Sequence, residues 1–185
     1  MNKFFSILFF GLVIGIGIFQ YSRNLDVDVN YEGFNLVAPG ILRTPEKHFK
    51  DLKEYLFKPN YLIIGDTRIH YLDEGPIDGE IIFLLHGEPA WSYLFRKMIP
   101  TLAEAGYRVI APDMVGFGKS DKYISIEDYS HQMHVDKMTQ LIIELDLNNI
   151  TAHVHDWGGM VGLRVIANEP DRFARVIASN TSLMA

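Results

Sequence analysis

Short apolar runs separated by turns dominate the chain between residues 61 and 179. Residues 81–85 are apolar at every position and are bounded by turns, which is typical of a strand buried on both faces. Two β-rich runs, 61–64 and 67–73, are joined at Gly65-Asp66 and predict a hairpin. The pattern predicts further strands at 108–111, 150–155 and 176–179, and helices at 94–105, 127–145 and 158–168. A hairpin followed by alternating strands and helices predicts an α/β protein with a mainly parallel sheet.

The most apolar segment lies at the N-terminus. Residues 4–19 follow Lys3 and are apolar apart from Ser6, a pattern that indicates a secretory signal peptide or a signal anchor within residues 1–23. A buried core helix is the alternative, but the run has no amphipathic period. Because no A-x-A-like cleavage site follows, we favour an uncleaved anchor. We therefore expect the protein to be exported or membrane-anchored on the periplasmic or cell-envelope side, with membrane association through residues 4–19.

The remainder divides into two parts by its patterning. Residues 24–60 are weakly patterned, with a turn at Pro39-Gly40 and a short helix opening at Thr44-Pro45, and we expect a linker and lead-in segment. Residues 61–185 carry the regular strand and helix pattern and are expected to form the N-terminal part of a core domain.

Composition excludes several kinds of partner. The net charge of -6 provides no basic surface for phosphates, so we expect no nucleic-acid binding. The chain has no cysteine, which excludes disulfides and thiolate metal sites. His131 and His134 lie three positions apart on a predicted helix, but no further ligand cluster accompanies them, so a solvated helix face is favoured over a metal site. No metal or organic cofactor is implied.

The first candidate for chemistry is Asp156, between a predicted strand and a predicted helix. Its surroundings read His155-Asp156-Trp157-Gly158-Gly159. A strand, a sharp turn and a helix are the context of a nucleophile elbow, with Asp where many hydrolases carry Ser. The N-terminus of the following helix favours the ionised carboxylate. The alternative is that Asp156 only caps the helix.

Two further motifs follow the preceding strands. Residues 85–94 read Leu-His-Gly-Glu-Pro-Ala-Trp-Ser-Tyr-Leu, and residues 111–122 read Ala-Pro-Asp-Met-Val-Gly-Phe-Gly-Lys-Ser-Asp-Lys. In this order and at these spacings, the three motifs closely resemble those of the haloalkane dehalogenases, in the branch whose oxyanion loop reads His-Gly-Glu-Pro. The resemblance extends from about residue 61 to residue 185. His155 departs from it, because this branch often has Gln there.

The resemblance implies the α/β-hydrolase fold and a role for each matching residue. Asp156 would be the nucleophile that attacks a small haloalkane and forms an alkyl ester, which water then hydrolyses. The Trp157 indole would bind the halide product, and the backbone N–H groups of Glu88 and Trp157 would form the oxyanion hole. His86 is expected to brace the oxyanion loop, and Asp113 to hydrogen-bond its own turn.

The resemblance also implies parts that this chain lacks. After the last predicted strand, the family continues with a helical cap and two strands that carry the catalytic acid and the general-base His. We therefore expect a fold truncated before the cap and last strands, and a chain that is inactive alone. Two alternatives remain: an epoxide hydrolase, which shares the Asp nucleophile but usually has an aromatic residue before the Pro of its oxyanion loop, and a non-catalytic membrane-tethered remnant.

Overall fold

A computed structural model describes residues 33–182 of the chain. The strands in this range are β1 (Asn35–Ala38), β2 (Ile41–Arg43), β3 (Asn60–Ile64), β4 (Thr67–Glu74), β5 (Ile81–Leu85), β6 (Arg108–Pro112), β7 (Lys122–Tyr123), β8 (Ile150–His155) and β9 (Phe173–Ser179). The α-helices are α1 (Met98–Glu104), α2 (His131–Glu144) and α3 (Trp157–Asn168). The apolar run at 4–19, for which we predict a signal or anchor, lies outside the described residues. Between residues 33 and 182, no helix is both long and apolar enough to cross a membrane.

The main sheet has six strands in the order β3-β4-β6-β5-β8-β9. Strand β5 pairs in parallel with β6 and β8, and β8 pairs in parallel with β9, while β4 pairs antiparallel with both β3 and β6. The predicted α/β class, with an opening hairpin and a mainly parallel sheet, is thereby confirmed. Because β5, β6 and β8 run in the same direction, the loops that follow them meet at one edge of the sheet, where ligands bind in such folds.

Strand β5 is buried on both faces, as its sequence predicts. Phe83 and Leu85 belong to a core cluster that includes residues of α2 and α3. Leu84 belongs to a second cluster on the opposite face, together with Phe95 and Ile99. Successive side chains of a strand point to opposite faces, so an unbroken apolar run supplies both cores.

Two predicted helices are each divided in the structure. The helix predicted at 94–105 consists of a 3-10 turn, Ser92–Phe95, followed by α1. The helix predicted at 127–145 consists of a 3-10 turn, Ile126–Asp128, followed by α2. Ser130 separates the latter two, because its side chain accepts a hydrogen bond from the Met133 N–H and caps α2.

The described part of the expected linker, residues 33–60, is folded against the core instead. Strands β1 and β2 form a hairpin at Pro39-Gly40, and β2 pairs with β7 to form a three-stranded sheet. Arg43 donates two hydrogen bonds to the Asp121 carboxylate, at 2.7 and 2.9 Å. The short helix predicted after Thr44-Pro45 is a 3-10 helix, Glu46–Phe49. A linker was the wrong expectation for this part because its strands are held by residues far along the chain.

Candidate active site

Asp156 lies at the sharp turn between β8 and α3, with φ 54° and ψ −128°. A residue other than glycine rarely adopts this conformation, which costs about 1–3 kcal/mol and persists only where the surroundings enforce it. The turn places the Asp156 side chain at the sheet edge where the loops after β5 and β6 also lie. The sequence therefore places its strongest nucleophile candidate at the ligand-binding edge of the fold.

Two glycines allow the elbow and the loop after β5 to touch. A Cβ atom on Gly87 would overlap the Asp156 side chain, and a Cβ on Gly158 would overlap the backbone carbonyls of Leu85 and His86. Neither position has room for a side chain. The N-terminus of α3 therefore lies directly against the end of β5.

The Asp156 carboxylate is held by backbone donors. The Glu88 N–H donates to Asp156 Oδ1 at 2.9 Å. The neighbouring Trp157 N–H lowers the pKa of Asp156 and outweighs partial burial, while the Glu88 N–H and the charge of His155 lower it further. Asp156 is therefore ionised at neutral pH, with the Glu88 N–H bonded to its carboxylate and the Trp157 N–H near it.

The contacts of Asp156 do not support the alternative that it only caps α3. Asp156 occupies the N-cap position of α3, but its side chain makes no capping hydrogen bond to the first turn. Within residues 33–182, its carboxylate also makes no hydrogen bond to a histidine side chain. Asp156 thus has an anionic oxygen that makes no capping hydrogen bond to α3.

His86 lies beneath the oxyanion loop and is fully buried. Its Nδ1 is 2.9 Å from the Gly87 carbonyl oxygen, and its Nε2 is 3.0 Å from the Met114 backbone nitrogen. Because the Met114 N–H can only donate, we assign the proton of the ring to Nδ1. Burial lowers the pKa of His86, although the Asp113 charge and the Gly87 carbonyl oppose this, so the ring is neutral. This is the bracing contact that the sequence predicts.

Asp113 is a fully buried carboxylate that joins three segments. It accepts hydrogen bonds of 2.8 Å each from Ser92 N, Lys119 N and His70 Nδ1. Burial raises the pKa of Asp113, but the hydrogen bond and charge of His70, with smaller effects of His86 and the Ser92 N–H, bring it below the ordinary range. The predicted hydrogen bond within its own turn is present at Lys119. The contacts with His70 and Ser92 carry no sequence signal and were missed.

A cavity of about 400 Å³ opens beside Trp157. Its walls are mostly apolar or aromatic and are formed by Glu88, Met114, Gly116, Phe117, Tyr129, Ser130, His131, His134, Trp157 and Val161. Trp157 is 41% exposed there. The cavity gives a small apolar molecule a binding surface that Glu88 and Trp157, the residues adjoining Asp156, help to form. Asp156 itself lines a separate opening of about 320 Å³.

The two histidines of α2 lie on the wall of this cavity, so the expected solvated helix face is wrong. His131 Nε2 is 3.0 Å from the Met160 carbonyl oxygen. Burial, with smaller effects of the neighbouring His86 and His131 rings, lowers the pKa of His134 to about 4. In the part of the chain that the structure describes, no group of three or more His, Asp or Glu side chains is placed to hold a metal.

Comparisons with known proteins agree with this geometry. A family model described as alpha/beta hydrolase fold matches residues 80–185. A haloalkane dehalogenase from Psychrobacter cryohalolentis is 57% identical over 148 residues, which are 77% of this chain and 49% of that protein. The structure of a haloalkane dehalogenase from Paraglaciecola agarilytica superimposes with a TM-score of 0.75 at 46% identity, covering 78% of this chain and 50% of that one.

Epoxide hydrolases are also similar, but less so. One from Vigna radiata superimposes with a TM-score of 0.65 at 26% identity and covers 71% of this chain and 42% of that one. The chain spans about half the length of the curated relatives it matches. The resemblance to haloalkane dehalogenases that the three motifs indicate is confirmed.

Proposed function

Because the chain belongs to the alpha/beta hydrolase fold family, we propose that the protein is a haloalkane dehalogenase, which hydrolyses a carbon–halogen bond through an ester on Asp156. The observation that carries the proposal is the Asp156 carboxylate at the elbow, with Oδ1 held by the Glu88 N–H. A carboxylate suits this reaction because it forms an ester that water can cleave again. A small haloalkane, water and the halide product are the proposed partners.

In the first step, the free oxygen of Asp156, Oδ2, attacks the carbon that bears the halogen. The new C–O bond forms as the carbon–halogen bond breaks, and the halide leaves with the bonding electron pair. The negative charge moves from the carboxylate to the halide, so a donor near the departing halide lowers the barrier. The Trp157 indole N–H supplies such a donor, since Trp157 lines the cavity beside Asp156.

In the second step, water attacks the carbonyl carbon of the ester. The carbonyl oxygen, which corresponds to Oδ1, becomes an oxyanion and is stabilised by the backbone N–H groups of Glu88 and Trp157. Collapse of this intermediate releases the alcohol and restores the Asp156 carboxylate. The water proton passes to a general base; the resemblance implies a His, supported by an acid, in the sequence that follows the last strand in this family.

The nucleophile is tested by trapping the ester. We expect the protein incubated with 1-bromobutane to release bromide and to gain a butyl group on the peptide that contains Asp156, as seen by mass spectrometry. Asp156→Asn removes the anionic oxygen and should abolish both signals. Asp171→Asn is the matched control, because it makes the same change at an exposed aspartate outside the site and should retain both.

Each outcome separates the proposal from its alternatives. Bromide release by Asp156→Asn at the unaltered rate would contradict the assigned nucleophile. Turnover of styrene oxide to the diol without bromide release from bromoalkanes would favour an epoxide hydrolase. A protein that modifies neither substrate and gains no mass would favour the non-catalytic remnant.

Export or membrane anchoring through residues 4–19 stays a prediction from the sequence, since this segment lies outside the described residues. The reaction proposed for Asp156 does not depend on it.

A further inference from the structure

We propose that His86 is a positioning residue for ester hydrolysis: its ring holds the peptide unit between Gly87 and Glu88 in the one orientation that aims the Glu88 N–H at Asp156. This inference rests on the proposed function, because it assigns a supporting residue to the second step of that reaction. His86 does not line the cavity, and it makes no hydrogen bond to Asp156.

The peptide unit between Gly87 and Glu88 is planar. The Gly87 carbonyl and the Glu88 N–H belong to the same rigid plane and point in opposite directions. His86 Nδ1 donates to the Gly87 oxygen at 2.9 Å on one side, and the Glu88 N–H reaches Asp156 Oδ1 at 2.9 Å on the other. Rotation of this plane would break both bonds together. The ring therefore fixes the direction of an oxyanion donor that it does not contact.

The His86 ring carries its proton on Nδ1. Nδ1 can hold the Gly87 oxygen only if it carries a proton. The Met114 N–H donates to Nε2 at 3.0 Å, which leaves Nε2 as the acceptor and places the single proton of the neutral ring on Nδ1. Because Met114 follows the buried Asp113, its N–H is itself held in place by the loop after β6.

The His86 ring has no room to reorient. His86 is fully buried, and the Phe117 ring packs against it edge-on, with centroids 5.3 Å apart and an interplanar angle of 66°. A histidine that only filled space would not need a fixed tautomer with both nitrogens occupied. The arrangement instead links the ends of β5 and β6 to the orientation of one peptide.

The two chemical steps depend differently on this peptide. The attack on the haloalkane uses the free oxygen of Asp156 and develops charge at the halide. The hydrolysis of the ester develops charge at Oδ1, where the Glu88 N–H points, and removing an oxyanion donor typically costs about 100-fold or more in rate. Loss of the His86 anchor should therefore slow hydrolysis selectively, and the alkyl ester should accumulate.

Two amide variants separate the two bonds of the ring. In His86→Asn, the side-chain N–H₂ occupies the position of Nδ1 and keeps the donor to the Gly87 oxygen. In His86→Gln, the longer side chain reaches the Met114 N–H with its oxygen and leaves the Gly87 oxygen without its partner. The comparison is made in the protein together with the sequence that, by the resemblance, follows β9 and carries the general base. Rapid mixing with 1-bromobutane follows bromide release and the mass of the ester.

We expect His86→Gln to hydrolyse the ester up to about 100-fold more slowly while its bromide burst stays within a few-fold of the unaltered rate. His86→Asn should hydrolyse the ester within a few-fold of that rate. Equal hydrolysis by His86→Gln and the unaltered protein would overturn the proposal, as would an equal slowing of both steps in both variants. If the unaltered protein forms no ester, the proposed function fails instead.

A measurement without any variant tests the proposal if the variants do not fold. In protein labelled with 15N at histidine, the His86 ring should show a protonated Nδ1 and an unprotonated Nε2 at pH 7. A ring protonated at Nε2, or a charged ring, would overturn the proposal whether or not the protein turns over a haloalkane.

Discussion

Asp113→Ala is the substitution whose effect on stability follows most directly from the structure. The Asp113 carboxylate is the acceptor for Ser92 N, Lys119 N and His70 Nδ1, each at 2.8 Å, in a fully buried site. A buried donor without an acceptor costs about 1–3 kcal/mol. Three such donors cost about 3–9 kcal/mol on that scale. Because water can enter the space of the lost carboxylate, we expect the low end, about 3 kcal/mol.

A change of tautomer gives His70 little relief in this variant. Its Nε2 is buried and has no hydrogen-bond partner within the described residues. Moving the ring proton to Nε2 would therefore exchange one unpaired N–H for another. The His70 contribution to the loss persists in either tautomer.

Asp113→Asn is the matched control because it keeps the volume. Its oxygen can take the position that accepts from both Lys119 N and His70 Nδ1, while its N–H₂ faces Ser92 N. The His70 ring then keeps its proton on Nδ1, but the Ser92 N–H loses its acceptor. One conflict remains, and we expect a loss of about 1–3 kcal/mol, less than in Asp113→Ala.

Urea unfolding of the unaltered protein and both variants measures these losses. The slopes of free energy against urea must agree, since only then do the midpoints report stability of the folded state. An Asp113→Ala protein within about 1 kcal/mol of the unaltered one would refute the reasoning, because three unpaired donors then cost less than one. An Asn variant less stable than the Ala variant would refute it as well.

Two further predictions concern the cavity. Burial lowers the pKa of His134 to about 4 from the ordinary 6.5. As the pH falls, the unfolded chain therefore binds a proton before the folded protein does, and stability is lost between these two pH values. In urea unfolding, His134→Gln should lose less stability than the unaltered protein between pH 7 and pH 4.5, and an unchanged pH dependence would contradict this. Trp157→Phe removes the indole donor but keeps the backbone N–H, so the bromide burst should slow by roughly 10- to 100-fold while the rate of ester hydrolysis stays unchanged. Rapid mixing with 1-bromobutane measures both rates, and slowing of hydrolysis alone would contradict the assigned halide contact.

The sequence predicts the strands best where burial alone determines them. Strands β5 and β8 begin and end at the predicted residues, because each is an apolar or alternating run bounded by turns. The hairpin of β1 and β2 was missed because its strands have only four and three residues. Its anchor, the Arg43–Asp121 pair, joins residues 78 positions apart, and no local pattern encodes such a contact.

In the candidate site, too, the sequence predicts residues that belong to local motifs but not contacts between residues far apart along the chain. Motif order indicates Glu88, Asp156 and Trp157, because each stands at a fixed offset from a predicted strand. The His70–Asp113 pair joins residues 43 positions apart, and His70 lies within a strand whose pattern predicts only a hairpin. Its role depends on the antiparallel pairing of β4 with β6, which the sequence does not specify.

The strained turn at Asp156 and the oxyanion loop must form together. The positive φ of Asp156 is unfavourable by itself, and it occurs where Gly87 packs against the Asp156 side chain and Gly158 packs against the carbonyls of Leu85 and His86. Conversely, the Glu88 N–H gains its partner only when the elbow has placed the carboxylate. Each segment is thus stabilised in its conformation only when the other segment is in place. The arrangement of nucleophile and donor is therefore set when β5, β8 and α3 pack, before any substrate binds.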